Sequence, residues 1–487
     1  MKKLVVVLFV VTLIAFVLSP ITTQAEEARK WIATYSGPGD TAVGAHTFPK
    51  LLAREKSEGF MGVGVVDTES DFAQQGCLLD LSEKGKIKRK TCYGGERDDS
   101  ITDVIRAKNG GFYLSGHTTA TKDPGPGRTW VAEVDSRGRV KWSKLLGPRW
   151  EETEEDGIIS NYNLISLMGS PDGGIFAAGY FITGLAGKRP PKTFDPGDIE
   201  MKGWLVKLSS GGEVLWQKSY GGKDLGGFMS AREVQEGGFV MAGTTYSWGI
   251  KGPKGPGDLW IVKADDSGQV EWQYRFDKEL GGVPNFDFGV NAVPAGNGYI
   301  VASVARYGEE NNTWITKLGP GGQVEWSRTY GEKTTRSTFP MVWTLPDSGY
   351  FASVMTFSGK REPGNTLLFR LDEKGNVKWQ REVGGSSYDC LLGFQATEVG
   401  YSIFGTTGSL GSKRRGIIAN YPGFTPPTVP ESAALETRTA SVASKTARVK
   451  QVSISQGFST EDIPVSSFNL ETNQVKLNQQ YLREPAD

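Results

Sequence analysis

From Asp258 to Phe276 the chain reads DLWIVKADDSGQVEWQYRF. Leu259 to Ala264 form an apolar, β-branched arm. Asp265-Asp266-Ser267-Gly268 is turn chemistry, because Asp and Ser bond their own backbone and Gly supplies a positive φ. Beyond the turn, Val270, Trp272, Tyr274 and Phe276 alternate with Glu271, Gln273 and Arg275, the period-two pattern of a strand with one buried face. The stretch therefore predicts a β-hairpin.

The hairpin recurs. Aligned on the Trp of its second arm it falls at Trp31, Arg89 (where Trp is replaced), Trp142, Trp216, Trp272, Trp326 and Trp379. The turns before the last six read SEKG, DSRG, SSGG, DDSG, GPGG and DEKG. Between one Trp and the next such hairpin lies a second one, turning at KNGG, PDGG, EGG, AGNG, PDSG or EVG, with an arm such as GGFVMAGTT from Gly237. Each unit thus holds four short strands, and a repeated four-stranded unit of roughly fifty residues is a propeller blade. With strands lettered a (innermost) to d (outermost), the chain starts in a d strand, Lys30 to Tyr35, and its last repeat ends in a c strand, Gly416 to Ala419. Pairing these two closes an all-β, seven-bladed β-propeller and removes both open sheet edges. An open solenoid or a pair of sandwiches is the alternative.

Outside the repeats, residues 1–25 read as a secretory signal peptide: Lys2 and Lys3, an apolar run from Leu4 to Leu18, then small residues at Thr23-Gln24-Ala25. No other stretch is long and apolar enough for a membrane span. Residues 26–421 are assigned to the propeller and 422–431, PGFTPPTVPE, to a stiff linker. Residues 432–487 form a polar tail expected to be disordered or weakly structured, with a strand over ARVKQVSISQGF from Ala447 and a short helix over NLETNQVKLNQQYL from Asn469. Composition agrees: 64 Gly and 24 Pro suit tight turns between aromatic strands, and 55 basic against 55 acidic residues give a net charge of +0. That balance argues against general affinity for nucleic acid or anionic membranes.

The unit W-(I/L)-V-K-(L/A)-x-x-x-G-x-V-x-W-x-x-x-(Y/F)-G-G stands here as GWLVKLSSGGEVLWQKSYGG from Gly203, TWITKLGPGGQVEWSRTYG from Thr313 and TLLFRLDEKGNVKWQREVGG from Thr366. It resembles the repeat of secreted bacterial and archaeal β-propeller proteins related to quinoprotein-type propellers, over roughly Trp31 to Tyr421. The resemblance implies the architecture and leaves the activity open, since propellers host unrelated functions. Quinone-dependent dehydrogenases of that type carry a vicinal Cys pair, which this chain lacks, so no cofactor is expected.

Strand alternation puts the d–a and b–c connections on one face of the ring, and these include every long loop: Gly95 to Ser100, Thr119 to Thr129, Pro148 to Tyr162, Thr183 to Lys202, Ser247 to Gly257 and Gly359 to Asn365. One blade carries an acidic insertion, Glu151 to Asp156, and a basic one, Gly187 to Asp198. They read either as a lid over the channel or as two solvated loops. A polar set just before the inner strands, Ser100, Asn163, Asp287, Thr338 and Asp389, is the candidate ligand-binding group, the alternative being local turn capping. Asp195, Asp198 and Glu200 offer hard oxygen ligands that suit calcium, though without EF-hand spacing. Catalytic constellations are scarce. His46 and His117 are the chain's 2 His and are read as structural or surface residues, and no catalytic residue is assigned. The d-strand Trp residues are expected to be buried between blades rather than to serve as sugar platforms.

Three Cys remain. If the turn at Ser82-Glu83-Lys84-Gly85 has two central residues, Cys77 falls opposite Cys92 and the two can bond. With a three-residue turn Cys92 faces Gly76 instead. The bonded register is preferred, because this blade lacks two of the repeat's Trp. Cys390 is expected to be a free buried thiol. The sequence thus predicts an exported monomeric binding module, periplasmic or extracellular, for a protein, peptide or glycan on the long-loop face. The alternative is a polysaccharide hydrolase or lyase with its site in the channel.

Overall fold

The computed structural model describes residues 31–36, 41–43, 50–53, 59–67, 74–94, 99–118, 128–146, 158–185, 199–221, 225–246, 257–278, 286–307, 310–331, 336–357, 364–397, 400–409 and 414–424, and the backbone of six short segments between 435 and 481. The signal-peptide reading, His46, Asp195 and Asp198 lie outside the described residues, as does the side chain of Glu200. Every regular element among the described residues is a strand, and these form seven antiparallel sheets.

Blades 2 to 6 each consist of four consecutive strands. Blade 4, for instance, holds Gly226–Glu233 (a), Phe239–Thr245 (b), Asp258–Ala264 (c) and Val270–Lys278 (d). Blade 7 holds Asp389–Thr397, Gly400–Thr407 and Arg415–Pro422, and its d strand is the N-terminal Trp31–Ser36. The closing register runs from Trp31 opposite Asn420 to Tyr35 opposite Gly416. Ile32, Ala33, Thr34 and Tyr35 are all buried in this seam, so closure also joins the hydrophobic clusters of blades 7 and 1. Blade 3 is longer than its loops suggested. Its a and b strands, Ile158–Gly169 and Ile175–Leu185, pair outward to Ile158 opposite Leu185, and its c strand starts at Ile199. β-Branched Ile158, Ile159, Ile182 and Ile199 carry the sheet into what the sequence assigned to loop.

Blades are joined around the outside by the cd hairpins. Tyr35, Tyr93, Tyr220 and Tyr330 donate their hydroxyls at 2.6–2.7 Å to the carbonyls of Gly85, Gly138, Gly268 and Gly375, the turn glycines of the following blades. Trp142, Trp272 and Trp326 donate Nε1 at 3.0–3.2 Å to Ser210, Pro320 and Glu373, the second residues of those turns. Arg89, standing in the Trp position of blade 1, reaches the matching carbonyl of Ser136 at 3.3 Å. The expectation that the d-strand Trp residues are largely buried is corrected here. Trp142, Trp216, Trp272, Trp326 and Trp379 are half-buried, lying over the next blade's turn. The fully enclosed Trp are Trp130, Trp204, Trp260 and Trp314 on the c strands, which are covered on both faces.

Cys77 and Cys92 stand opposite one another, Cα atoms 4.0 Å apart, and form a disulfide. The route to that register combines both turn geometries. At the turn, Leu81 pairs with Ile87 and Ser82 N bonds Lys86 O, the three-residue form. A bulge between Asp80 and Leu81 then shifts the ladder by one, so that Asp80 pairs with Arg89 and Cys77 with Cys92. Cys390 is free and half-buried, and desolvation of its thiol pushes the pKa up to about 11.

The tail carries six strands of two to five residues, each antiparallel to the outer strand of a blade. In chain order they visit blades 6, 5, 4, 2, 1 and 7. A strand at Val449–Ser453 matches the sequence reading. Where a helix was expected from Asn469, the described residues of the segment, Thr472–Asn473 and Asn478–Tyr481, are strands, because open d edges offer their backbone donors and acceptors a ladder.

Candidate functional site: the central channel

The seven a strands line the channel, and one irregularity shapes it. In blade 2, Ile101 pairs with Gly116 and Asp103 with Ser115, leaving Thr102 extra. Bulges recur at Leu164/Ser166, Phe228/Ser230, Gly289/Asn291, Thr338/Met341 and Cys390/Gly393. In blades 2, 3, 4 and 7 a carbonyl just before the bulge turns over the b strand, so that a Cβ at Gly116, Gly179, Gly243 or Gly405 would collide with it. In these four blades the b-strand Gly makes room for the displaced carbonyl, whereas Ser303 and Val354 stand opposite the bulges of blades 5 and 6. In blade 1 the a strand is split into Thr41–Val43 and Leu51–Ala53. Val43 pairs with Gly64 and Lys50 O accepts from Val63 N, so Val43 and Lys50 flank the place where other blades have the bulge.

The residue leaving each bulge forms a ring: Lys50, Asp103, Ser166, Ser230, Asn291, Met341 and Gly393. Its polar members clasp blade to blade. Asp103 Oδ2 accepts from Leu167 N (2.6 Å), Ser166 Oγ from Ala231 N (3.1 Å), Ser230 Oγ from Ala292 N (3.0 Å) and Asn291 Oδ1 from Val342 N (3.0 Å). Asp103 Oδ1 meanwhile takes Lys50 Nζ at 2.7 Å and Val104 N at 2.7 Å.

Beside this ring lies a cavity of about 200 Å³. Its polar lining is Lys50, Thr102, Asp103, Ser166, Ser230, Arg232 and Gln395, and Met229, Met341, Trp343 and Phe394 form much of the apolar part. Arg232, Trp343 and Gln395 lie two residues beyond the ring on their strands, so the cavity extends toward the a–b turns. Arg232 donates Nη1 to Ala231 O (2.7 Å) and more weakly to Ser166 Oγ (3.4 Å). Desolvation lowers its pKa, with Asp103 opposing. Desolvation likewise lowers that of Lys50, where Asp103 opposes and Arg232 adds to the drop.

The candidate residues read from sequence fall three or four residues ahead of the ring. Ser100, Asn163, Asp287, Thr338 and Asp389 all lie on a strands ahead of the bulges, opposite His117, Tyr180, Ala305, Met355 and Thr407. Of the four with described side chains, none lines the cavity. Asp389 is fully buried and accepts from Thr407 Oγ1 (2.5 Å), Ser409 Oγ (2.7 Å) and Gly385 N (2.8 Å), a framework node that pins the entry to blade 7. Lys50, Asp103, Arg232, Trp343 and Gln395 were missed. Aligning the inner strands as ITDVIR, LISLMG, FMSARE and GVNAVP would have exposed the recurring polar position. Among the described residues no group of three or more His, Cys, Asp or Glu could hold a metal, and no helix is long and apolar enough to cross a membrane.

No protein-family model matches the chain. No curated protein matches it either. Among solved structures it is similar to a protein of unknown function from Dyadobacter fermentans DSM 18053, at 14% identity and TM-score 0.42, covering 71% of this chain and 97% of that one. It is similar to the AfRom2 CNH domain at 7% identity and TM-score 0.39, covering 79% of this chain and 100% of that one. The S511A mutant of puromycin hydrolase complexed with PGG is matched at 12% identity and TM-score 0.33, over 79% of this chain and 59% of that one. Likenesses this remote carry no argument about function, and the seven-bladed architecture rests on the strand pairing itself.

Proposed function

We propose that the chain is an exported β-propeller working as a binding module, without a cofactor, for a protein, peptide or glycan. The supporting observation is the state of Asp103. It is the one carboxylate among the described lining residues, and its oxygens are taken by Lys50 Nζ, Val104 N and Leu167 N. Glycoside cleavage uses two carboxyl groups that exchange protons across the scissile bond, commonly ~5–9.5 Å apart. An aspartate fixed in the blade-to-blade clasp is poorly placed for that work, which disfavours the hydrolase alternative. The quinoprotein-like repeat and the signal-like N-terminus support export. The long-loop face is the proposed surface for a macromolecular partner, with Asp195, Asp198 and Glu200 as a proposed calcium site on one of its insertions.

The test is incubation of the exported protein with a polysaccharide panel, reading both retention on the matrix and new reducing ends, alongside a pull-down from the periplasmic or extracellular fraction. Retention or capture without new reducing ends is expected. New reducing ends that vanish in Asp103→Asn would establish the hydrolase instead. The mature N-terminus, read by mass spectrometry, should follow Ala25.

A further inference from the structure

We infer that the channel cavity is a binding site for a carboxylate carried on a small apolar or aromatic body, with the Arg232 guanidinium as its anchor. This rests on the binding reading above and names the chemistry of one ligand.

Charge is the first argument. Four buried cations elsewhere in the ring sit on carboxylates, Arg275 on Asp258 at 2.5 Å, Lys207 on Asp172 at 2.9 Å, Lys263 on Glu271 at 2.9 Å and Lys317 on Glu325 at 3.2 Å, whereas Arg232 is half-buried at the cavity. Among the described residues Arg232 hydrogen-bonds only a backbone carbonyl and a serine hydroxyl. Asp103 is already committed to Lys50 and to two backbone N–H groups. The described lining therefore carries two half-buried cations against one anion, an excess of one positive charge beside the cavity. A desolvated cation without a counter-ion is costly, and a monoanion relieves that cost.

Hydrogen-bond capacity is the second. A serine hydroxyl has one donor and two acceptor sites. Ser166 and Ser230 spend their oxygens accepting N–H groups of the next blade. Neither donates its proton to another described residue, so both hydroxyls can donate inward. With Arg232 and Lys50 they make a lining rich in donors and poor in acceptors, the complement of a carboxylate. Shape is the third argument. Met229, Met341, Trp343 and Phe394 face the same space of about 200 Å³, which suits an apolar body behind the charged end rather than a bare, heavily hydrated ion.

The carboxylate can belong to a free small molecule or to the C-terminus of a peptide ending in Phe, and the experiment separates the two. The full exported chain is titrated calorimetrically with 3-phenylpropionate, with its uncharged amide, with inorganic phosphate, and with a tripeptide ending in Phe as free acid or as amide. The acid should bind at least about tenfold more tightly than its amide, in line with the strength of charge-assisted bonds. Arg232→Met should erase that difference, and Arg232→Lys should restore part of it. Met341→Trp fills the cavity with Arg232 left in place and should block binding too, so the test survives an Arg232→Met that fails to fold. Binding of the free-acid tripeptide but not of 3-phenylpropionate assigns the site to chain ends, and the reverse assigns it to small metabolites. Equal binding of acid and amide, tighter binding of phosphate, or no binding by any probe overturns the inference. If carboxylates fail while the chain still retains a glycan or captures a protein, the inference falls and the broader binding reading stands.

Discussion

Replacing Trp260 by Ala should cost far more than the same change at Trp272, although the two occupy neighbouring strands of one hairpin. Trp260 is wholly excluded from solvent. Its ring stacks on Phe228 with centroids 4.8 Å apart, and its Nε1 donates to Gln273 Oε1 at 3.1 Å. Truncating a core Trp typically costs about 3–5 kcal/mol through lost transfer energy and the cavity left behind. Gln273, itself buried, would lose its partner, which adds about 1 kcal/mol or more. The total is therefore about 4–6 kcal/mol. Trp272 is half-buried, touches Tyr299 edge-on at 5.7 Å, and donates to the exposed carbonyl of Pro320, which water can satisfy. With roughly half the burial and no orphaned group, the cost should be about 2 kcal/mol. Guanidinium unfolding followed by far-UV circular dichroism reads both, the m-values serving as a check that the unfolded states match. Equal costs at the two sites, or less than about 2 kcal/mol at Trp260, would refute the packing argument.

Three further predictions follow from the same structure. Cys77→Ala with Cys92→Ala removes a crosslink of sequence separation 15, worth about 3 kcal/mol by loop entropy, and a linked peptide in unreduced mass spectrometry checks the bond itself. Deleting residues 26–37 removes the d strand of blade 7 and should lower the unfolding midpoint of the whole ring in one cooperative step, whereas removal of the chain after Thr425 should leave that cooperativity intact; similar melts for both deletions would count against closure. Asp135 is held down to about 2 chiefly by the Arg139 backbone N–H, and Asp172 to about 2 chiefly by Lys207. Both folded values lie below the unfolded value, so their contribution is complete above about pH 4 and is lost as pH falls through 2. Melting temperature should be level near neutrality and drop between about pH 4 and 2, less steeply in Asp135→Ala and Asp172→Ala.

How much of this was legible depends on whether a feature repeats or is made by what a strand meets. Each type of turn recurs six times and the outer alternating arm seven, so blade number, strand order and the closing strand could be read directly. Burial of the Trp residues could not, because the a–d order along a blade does not say which strand has neighbours on both faces. The c strand does, and Trp204, Trp260 and Trp314 are enclosed there, while the more regular d-strand Trp lies over a turn. The channel was misplaced for a related reason. A bulge is one extra residue, invisible as composition, yet it decides that Asp103 and Ser166 line the cavity, three residues beyond the Ser100 and Asn163 read from sequence. The same device decides the cysteines. Both turn geometries weighed from sequence are local, and the bulge between Asp80 and Leu81 combines them: the three-residue turn sets one register at the tip, and a residue further on the ladder adopts the other. Bulges also account for the b-strand Gly of blades 2, 3, 4 and 7, since a side chain at Gly116, Gly179, Gly243 or Gly405 would strike the displaced carbonyl. In blade 1 the position that follows the bulge in other blades is held by Lys50, the cation that holds Asp103. A repeat thus sets the scaffold, and the irregularities it tolerates place the charges.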